Sequence, residues 1–153
     1  MGDLGQHFSR KEFECRCCGR LQLDSHLVEG LEALRALAGV PVVISAGYRC
    51  PHHNQEVGGV PNSEHTRGLA ADIRLPGFSL QQMYELATQV PQFADGGIGV
   101  YDGDFLRADV RGHRARWARV RGSYVGIEQL VREPELLAEK PALTVLADRK
   151  RRA

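Results

Sequence analysis

Apolar residues return every three or four positions through Leu27, Leu31, Leu34 and Ala38, a spacing that lines them along one side of a helix. Asp24 or Ser25 supplies an N-cap and Gly39 a stop. A short polar oxygen satisfies the first free N–H groups, and glycine tolerates the left-handed turn that ends a helix. A second helix is predicted after Ser79, with Leu80, Met83, Leu86, Ala87 and Val90 turned inward. Ser9 and Glu12 have the spacing of a capping box, which predicts a short helix running into Phe13. Between the helices the period changes. Residues 40–46 are β-branched with Pro41 near their start, and read as a buried strand that delivers Arg49 at its end. Residues 69–75 read as a second strand, and 96–101 with 105–110 as a hairpin about Asp102, Gly103 and Asp104. Residues 50–62 are rich in Pro, His, Asn and Gly without periodicity, and read as a loop. Beyond Tyr124 a weak helical pattern, interrupted at Pro134, leads to Pro141 and a basic, solvated end at Arg149, Lys150, Arg151 and Arg152.

Helix, strand, loop, strand, helix and hairpin in that order make an α+β pattern. The expectation is a single domain over residues 1–124, with a central antiparallel sheet bearing the functional site and helices packed against it. An extension over 125–153 follows it. A chain of 153 residues that is 42% hydrophobic can bury one ordinary core. Its net charge of +1 creates no field that would draw nucleic acid or an anionic membrane, so the partner has to be read from a site. No stretch approaches the roughly 20 apolar residues of a membrane span, and the N-terminal segment lacks the apolar core of a secretory signal. The expectation is synthesis in the cytoplasm.

Three cysteines crowd together at Cys15, Cys17 and Cys18, and the fourth stands alone at Cys50. One cluster and a singleton differ from the paired knuckles of most tetrathiolate zinc sites. A second metal, a disulfide from the cluster to Cys50, and simple burial of the thiols are all open on this pattern.

Coordinating side chains are densest between Ser63 and Asp72, where His65 and Asp72 stand seven residues apart. A loop running into a strand can bring such a pair to one point. Zinc accepts imidazole nitrogen and carboxylate oxygen, but a catalytic site needs three protein ligands and an open position for water. This segment supplies two. Ser63, His65, Gly68, Ala70 and Asp72 match all five positions of the Ser-x-His-x-x-Gly-x-Ala-x-Asp signature. The segment thereby resembles the zinc D-Ala-D-Ala carboxypeptidases and related cell-wall and phage endopeptidases. The likeness extends through Gly47-Tyr48-Arg49-Cys50-Pro51, Asn54, Gly58-Gly59, Pro61-Asn62, Gly96-Gly97-Ile98-Gly99 and Asp109-Val110-Arg111-Gly112, over roughly residues 7 to 120.

The resemblance implies a zinc-dependent peptidase acting on D-amino-acid-containing peptides of peptidoglycan. His65 and Asp72 would be metal ligands and Ser63 would orient the ligand loop and help bind substrate. Arg49 would grip the peptide's carbonyl or carboxylate, and Asp109 would serve as general base. It also implies action in the periplasm or cell wall, reached through a lysis pore, a phage tail or an injection device. The family's third ligand is a histidine on the last hairpin strand, where this chain has Arg107. A guanidinium has no lone pair to offer zinc and repels the cation.

Three readings follow. His113, or less directly His52 or His53, completes the site, although 107 to 113 spans about 20 Å of extended strand. Alternatively, the domain is a degenerate peptidase that keeps the cleft as a binding or structural module of a phage-like assembly. In that case Arg107 takes over the metal's charge and pairs with Asp72 or Asp109. Finally, Arg107 is an alteration peculiar to this chain.

Overall fold

The structure, a computed structural model, describes residues 2–127. The helix expected after Asp24 forms as α1 (Ser25–Ala38), with the Asp24 carboxylate accepting from the His26 N–H and Gly39 closing it in the left-handed conformation. Leu27, Leu31 and Leu34 are fully buried on its inner side. The Ser9 region makes a single 3-10 turn, Arg10–Glu12, with Glu12 accepting from the Ser9 N–H. It places Phe13 against Phe8 in an edge-to-face pair.

Strand β1 (Val43–Ala46) leads to a short helix, α2 (Pro51–Glu56), where the sequence pattern predicts only loop. Pro51 at the first helical position has its φ already set for a helix, and Cys50 caps the end. Six residues are too few to display a hydrophobic period. A second 3-10 turn, Glu64–Arg67, runs into β2 (Ala70–Arg74). Helix α3 (Leu80–Ala87) starts at Ser79 as expected but stops before Val90. Val90 instead caps α4 (Pro91–Ala94) while staying in the same core. The hairpin forms as β3 (Gly97–Tyr101) and β4 (Phe105–Asp109). Two further strands, β5 (Ala115–Val120) and β6 (Ser123–Val125), were not anticipated. The predicted helix beyond Tyr124 and the basic end fall, from residue 128 on, outside the described residues.

The six strands form one sheet in the order β1-β2-β4-β3-β5-β6. The α+β class is as expected, but the sheet is mixed: β3 and β5 run parallel while the other neighbours are antiparallel. Side chains alternate across a strand, and the alternation divides this sheet cleanly. Ala71, Ile73, Leu106, Ala108, Ile98, Val100, Ala118 and Val120 join the main core, to which the buried residues of α1, α3 and α4 also belong. Asp72, Arg107, Gly99 and Trp117 fall on the opposite parity. Register makes them one row, because Arg107 pairs with both Asp72 and Gly99, and Gly99 pairs with Trp117. Gly99 is required there, since a Cβ would come within 2.3 Å of the Trp117 indole. Among the described residues no helix is long and apolar enough to cross a membrane.

Candidate functional site

The Ser63–Asp72 segment is built to hold an imidazole against a carboxylate. Ser63 Oγ accepts from the His65 N–H at 3.2 Å, capping the 3-10 turn that carries His65. Gly68 ends the turn at φ 73°, where a Cβ would lie 2.2 Å from the Gln22 carbonyl oxygen, so only glycine fits. The chain then enters β2 and projects Asp72. His65 is fully buried, and its Nδ1 lies 2.7 Å from the Gly47 carbonyl oxygen. A carbonyl can only accept, so Nδ1 carries the hydrogen and Nε2 is the nitrogen turned to Asp72 Oδ1, 3.1 Å away.

Asp72 is shared among three partners. Arg107 donates from Nε to Oδ1 at 2.7 Å and from Nη2 to Oδ2 at 3.3 Å, and Arg49 Nη2 stands 3.5 Å from Oδ2. Arg49 is held in turn by the Asn54 side-chain oxygen at 3.0 Å. Burial alone would raise the Asp72 pKa, but the hydrogen bond from His65 and the charges of His65 and Arg107 outweigh it and hold the carboxyl well below the usual range. Burial likewise works against the charge of Arg107, yet Asp72 holds its pKa above the ordinary value.

A cleft of about 510 Å³ opens over this row of the sheet. Four guanidiniums line it, from Arg49, Arg107, Arg111 and Arg119, against the two carboxylates of Glu64 and Asp72. Aromatic rings hold three of the four: Arg107 lies over Tyr101, Arg111 over Trp117 and Arg119 over Tyr124, each about 5 Å from the ring centre. Trp117 Nε1 donates to the Tyr101 hydroxyl at 2.8 Å, so the two rings form a fixed wall. Trp117, Tyr101, Arg111 and Arg119 were not singled out in the sequence. For Trp117 and Arg119 the signal was their alternation with Ala118 and Val120, which marks a strand with one apolar face.

Asp109, expected as the general base, does not line the cleft. It is fully buried and accepts from the Gly97 N–H, the Arg111 N–H and the Arg111 guanidinium, so its oxygens brace Arg111. His113 is exposed in the connection between β4 and β5 and does not approach His65 and Asp72. The alternation that puts residues 107, 109, 111 and 113 on one side is broken when β4 ends at Asp109. His52 and His53 lie on α2 beside Glu56 instead.

Residues 6–105 match the Peptidase M15 family. The chain belongs to that family. No curated protein matches the chain. The M15 match takes in the whole Ser63–Asp72 segment and stops two residues before Arg107.

M15 enzymes depend on zinc, and His65 and Asp72 bring an imidazole nitrogen and a carboxylate oxygen, both donor types that zinc accepts, within 3.1 Å of each other. The rest of the site does not fit it. The third position holds the Arg107 guanidinium, which has no lone pair, and Asp72 already accepts from it through both oxygens. Among the described residues the one group of three or more metal-ligating side chains lies elsewhere, at Cys15, Cys17, Cys18 and Cys50. These four are free thiols in the structure. Burial raises the Cys15 pKa, but N–H groups around its sulfur, led by that of Cys50, bring it down to about 6. Its neighbours, Cys50 first, push Cys17 up to about 12.

Proposed function

We propose that this M15 domain binds the carboxylate end of D-amino-acid-containing peptides of peptidoglycan and does not hydrolyse them. One observation carries the reading: Arg107, which stands in the chain where the family resemblance calls for a third histidine ligand, is paired with Asp72 at 2.7 Å. Two guanidiniums, Arg49 and Arg107, share the single Asp72 carboxylate, which leaves positive charge at the cleft floor. Arg107 spends Nε and Nη2 on Asp72, so Nη1 remains for a ligand. A planar fork of donors matches a carboxylate in both shape and charge. The aromatic wall of Tyr101 and Trp117 supplies apolar area beside it. The M15 relationship points to cell-wall peptides as the source of that carboxylate.

Trp117 is the single tryptophan of the sequence and lies in the cleft, so its fluorescence reports on occupancy. Titration with a peptide ending in D-Ala-D-Ala should give a saturable change, and the C-terminally amidated peptide should give none. Arg49→Ala should weaken binding on the order of tenfold to a hundredfold, the worth of a hydrogen bond to a charged group. Release of peptide fragments from purified peptidoglycan by the unaltered chain would overturn the reading.

A further inference from the structure

None of the four cysteines lines the cleft, and none has a part in the peptide-binding reading. Cys15 begins a tight turn in which the Gly19 N–H donates to the Cys15 carbonyl at 2.9 Å and the Cys15 N–H to the Arg20 carbonyl at 2.8 Å. Gly19 takes the left-handed conformation the turn needs, with φ 73°. The turn carries Cys17 and Cys18 at its tip and faces Cys50, the N-cap of α2. The sulfurs of Cys17 and Cys50 are 3.4 Å apart, those of Cys15 and Cys17 are 3.6 Å apart, and all four lie within 4.8 Å of one another. Four sulfurs each about 2.3 Å from one zinc ion stand about 3.8 Å apart at the corners of a tetrahedron. The 3.4 and 3.6 Å separations fall just short of that edge, and no pair exceeds 4.8 Å.

Two backbone donors are already aimed at sulfur, the Cys50 N–H at Cys15 and the His53 N–H at Cys50, both at 3.4 Å. Such donors stabilise thiolates and orient them toward a metal. A disulfide would use two of the four sulfurs and leave the other pair without a role. Four soft donors in tetrahedral reach favour zinc over magnesium or calcium.

We infer that Cys15, Cys17, Cys18 and Cys50 form a tetrathiolate site for a structural zinc ion that clamps the N-terminal segment to the strand end carrying Arg49. The surrounding contacts show why a clamp is useful. Apart from the main core, Cys15, Tyr48 and Cys50 form only a small buried cluster with Leu21 packed on it. Tyr48 N–H donates to the Phe13 carbonyl, and Arg49 follows directly. A metal bridging residues 15–18 to Cys50 fixes the backbone on both sides of Arg49, whose guanidinium faces the cleft. On binding, each thiol loses its proton to solvent and no oxidation takes place.

The test is elemental analysis and thiol titration of the chain purified under reducing conditions without chelator. The expected result is one zinc per chain, lost in Cys17→Ser and Cys18→Ser and retained in His65→Ala. Both substituted cysteines are exposed, so the variants leave the buried core untouched. Cobalt in place of zinc should give the charge-transfer bands of thiolate ligation. A metal-free chain with four reactive thiols would overturn the inference. So would a Cys17–Cys50 disulfide in metal-free protein, or a zinc ion that leaves with His65→Ala and stays in Cys17→Ser. None of these outcomes depends on whether the cleft binds a peptide.

Discussion

Asp72 carries more of the site than any other residue, because Arg49, Arg107 and His65 all converge on its carboxylate. Removing one partner of a buried ion pair leaves the other uncompensated, at a cost of about 3–5 kcal/mol. Asp72→Asn should lower stability by that order at neutral pH, read as a fall in the urea midpoint. The pH dependence follows from the direction of its shift. A carboxyl whose folded pKa is held below its unfolded value, about 3.9, contributes stability that is present above that value and is lost as pH falls toward the folded pKa. The unaltered chain should therefore lose stability below about pH 4 more steeply than Asp72→Asn does. Parallel slopes would mean that the carboxylate is not held by these partners. At this scale the sequence was legible where chemistry is local: Ser63, His65 and Asp72 follow from the likeness to a ten-residue signature, and the fold brings His65 to both Ser63 and Asp72. Asp109 rests on the same family likeness, and its partners Gly97 and Arg111 come to it only through strand pairing and the turn after β4.

Among the elements, β3 has an unusual task, since its cleft-facing positions Gly97 and Gly99 make room for groups from its neighbours. A Cβ at Gly97 would come within 2.4 Å of the Asp109 carboxylate, and one at Gly99 within 2.3 Å of the Trp117 indole. Gly99→Ala should displace the indole while the sheet register holds, because the core-facing Ile98 and Val100 are unaffected. The expected outcome is a shifted Trp117 emission and weaker peptide binding, with the far-ultraviolet circular dichroism unchanged. An unshifted emission would mean that the indole does not lie over β3. Helix α1 was readable because its caps and its apolar period are all local. Helix α2 was not, being a single capped turn and a half, and β5 and β6 were obscured by the arginines that alternate with their few apolar residues.

For the whole molecule, the decisive relation is the register of β2 against β4, which sets Arg107 opposite Asp72. The same register predicts that Arg107→His places an imidazole beside His65 and Asp72, completing three ligands. With the cysteine site filled, elemental analysis should rise from one zinc per chain to two, and peptide release from peptidoglycan should appear. A zinc content unchanged by Arg107→His would show that more than this residue separates the chain from a hydrolytic M15 site. The sequence by itself determined helices α1 and α3, the hairpin, the α+β class and the His65–Asp72 segment, because caps, periodicity and close spacing are properties of neighbours along the chain. Tertiary structure decided what those residues meet. Pairing between distant strands gave Arg107 to Asp72, laid Trp117 across Gly99 and set Asp109 against Gly97. Folding of the N-terminal segment brought Cys50 to three cysteines, of which Cys15 stands 35 residues before it, since long-range register and packing depend on the sheet as a whole.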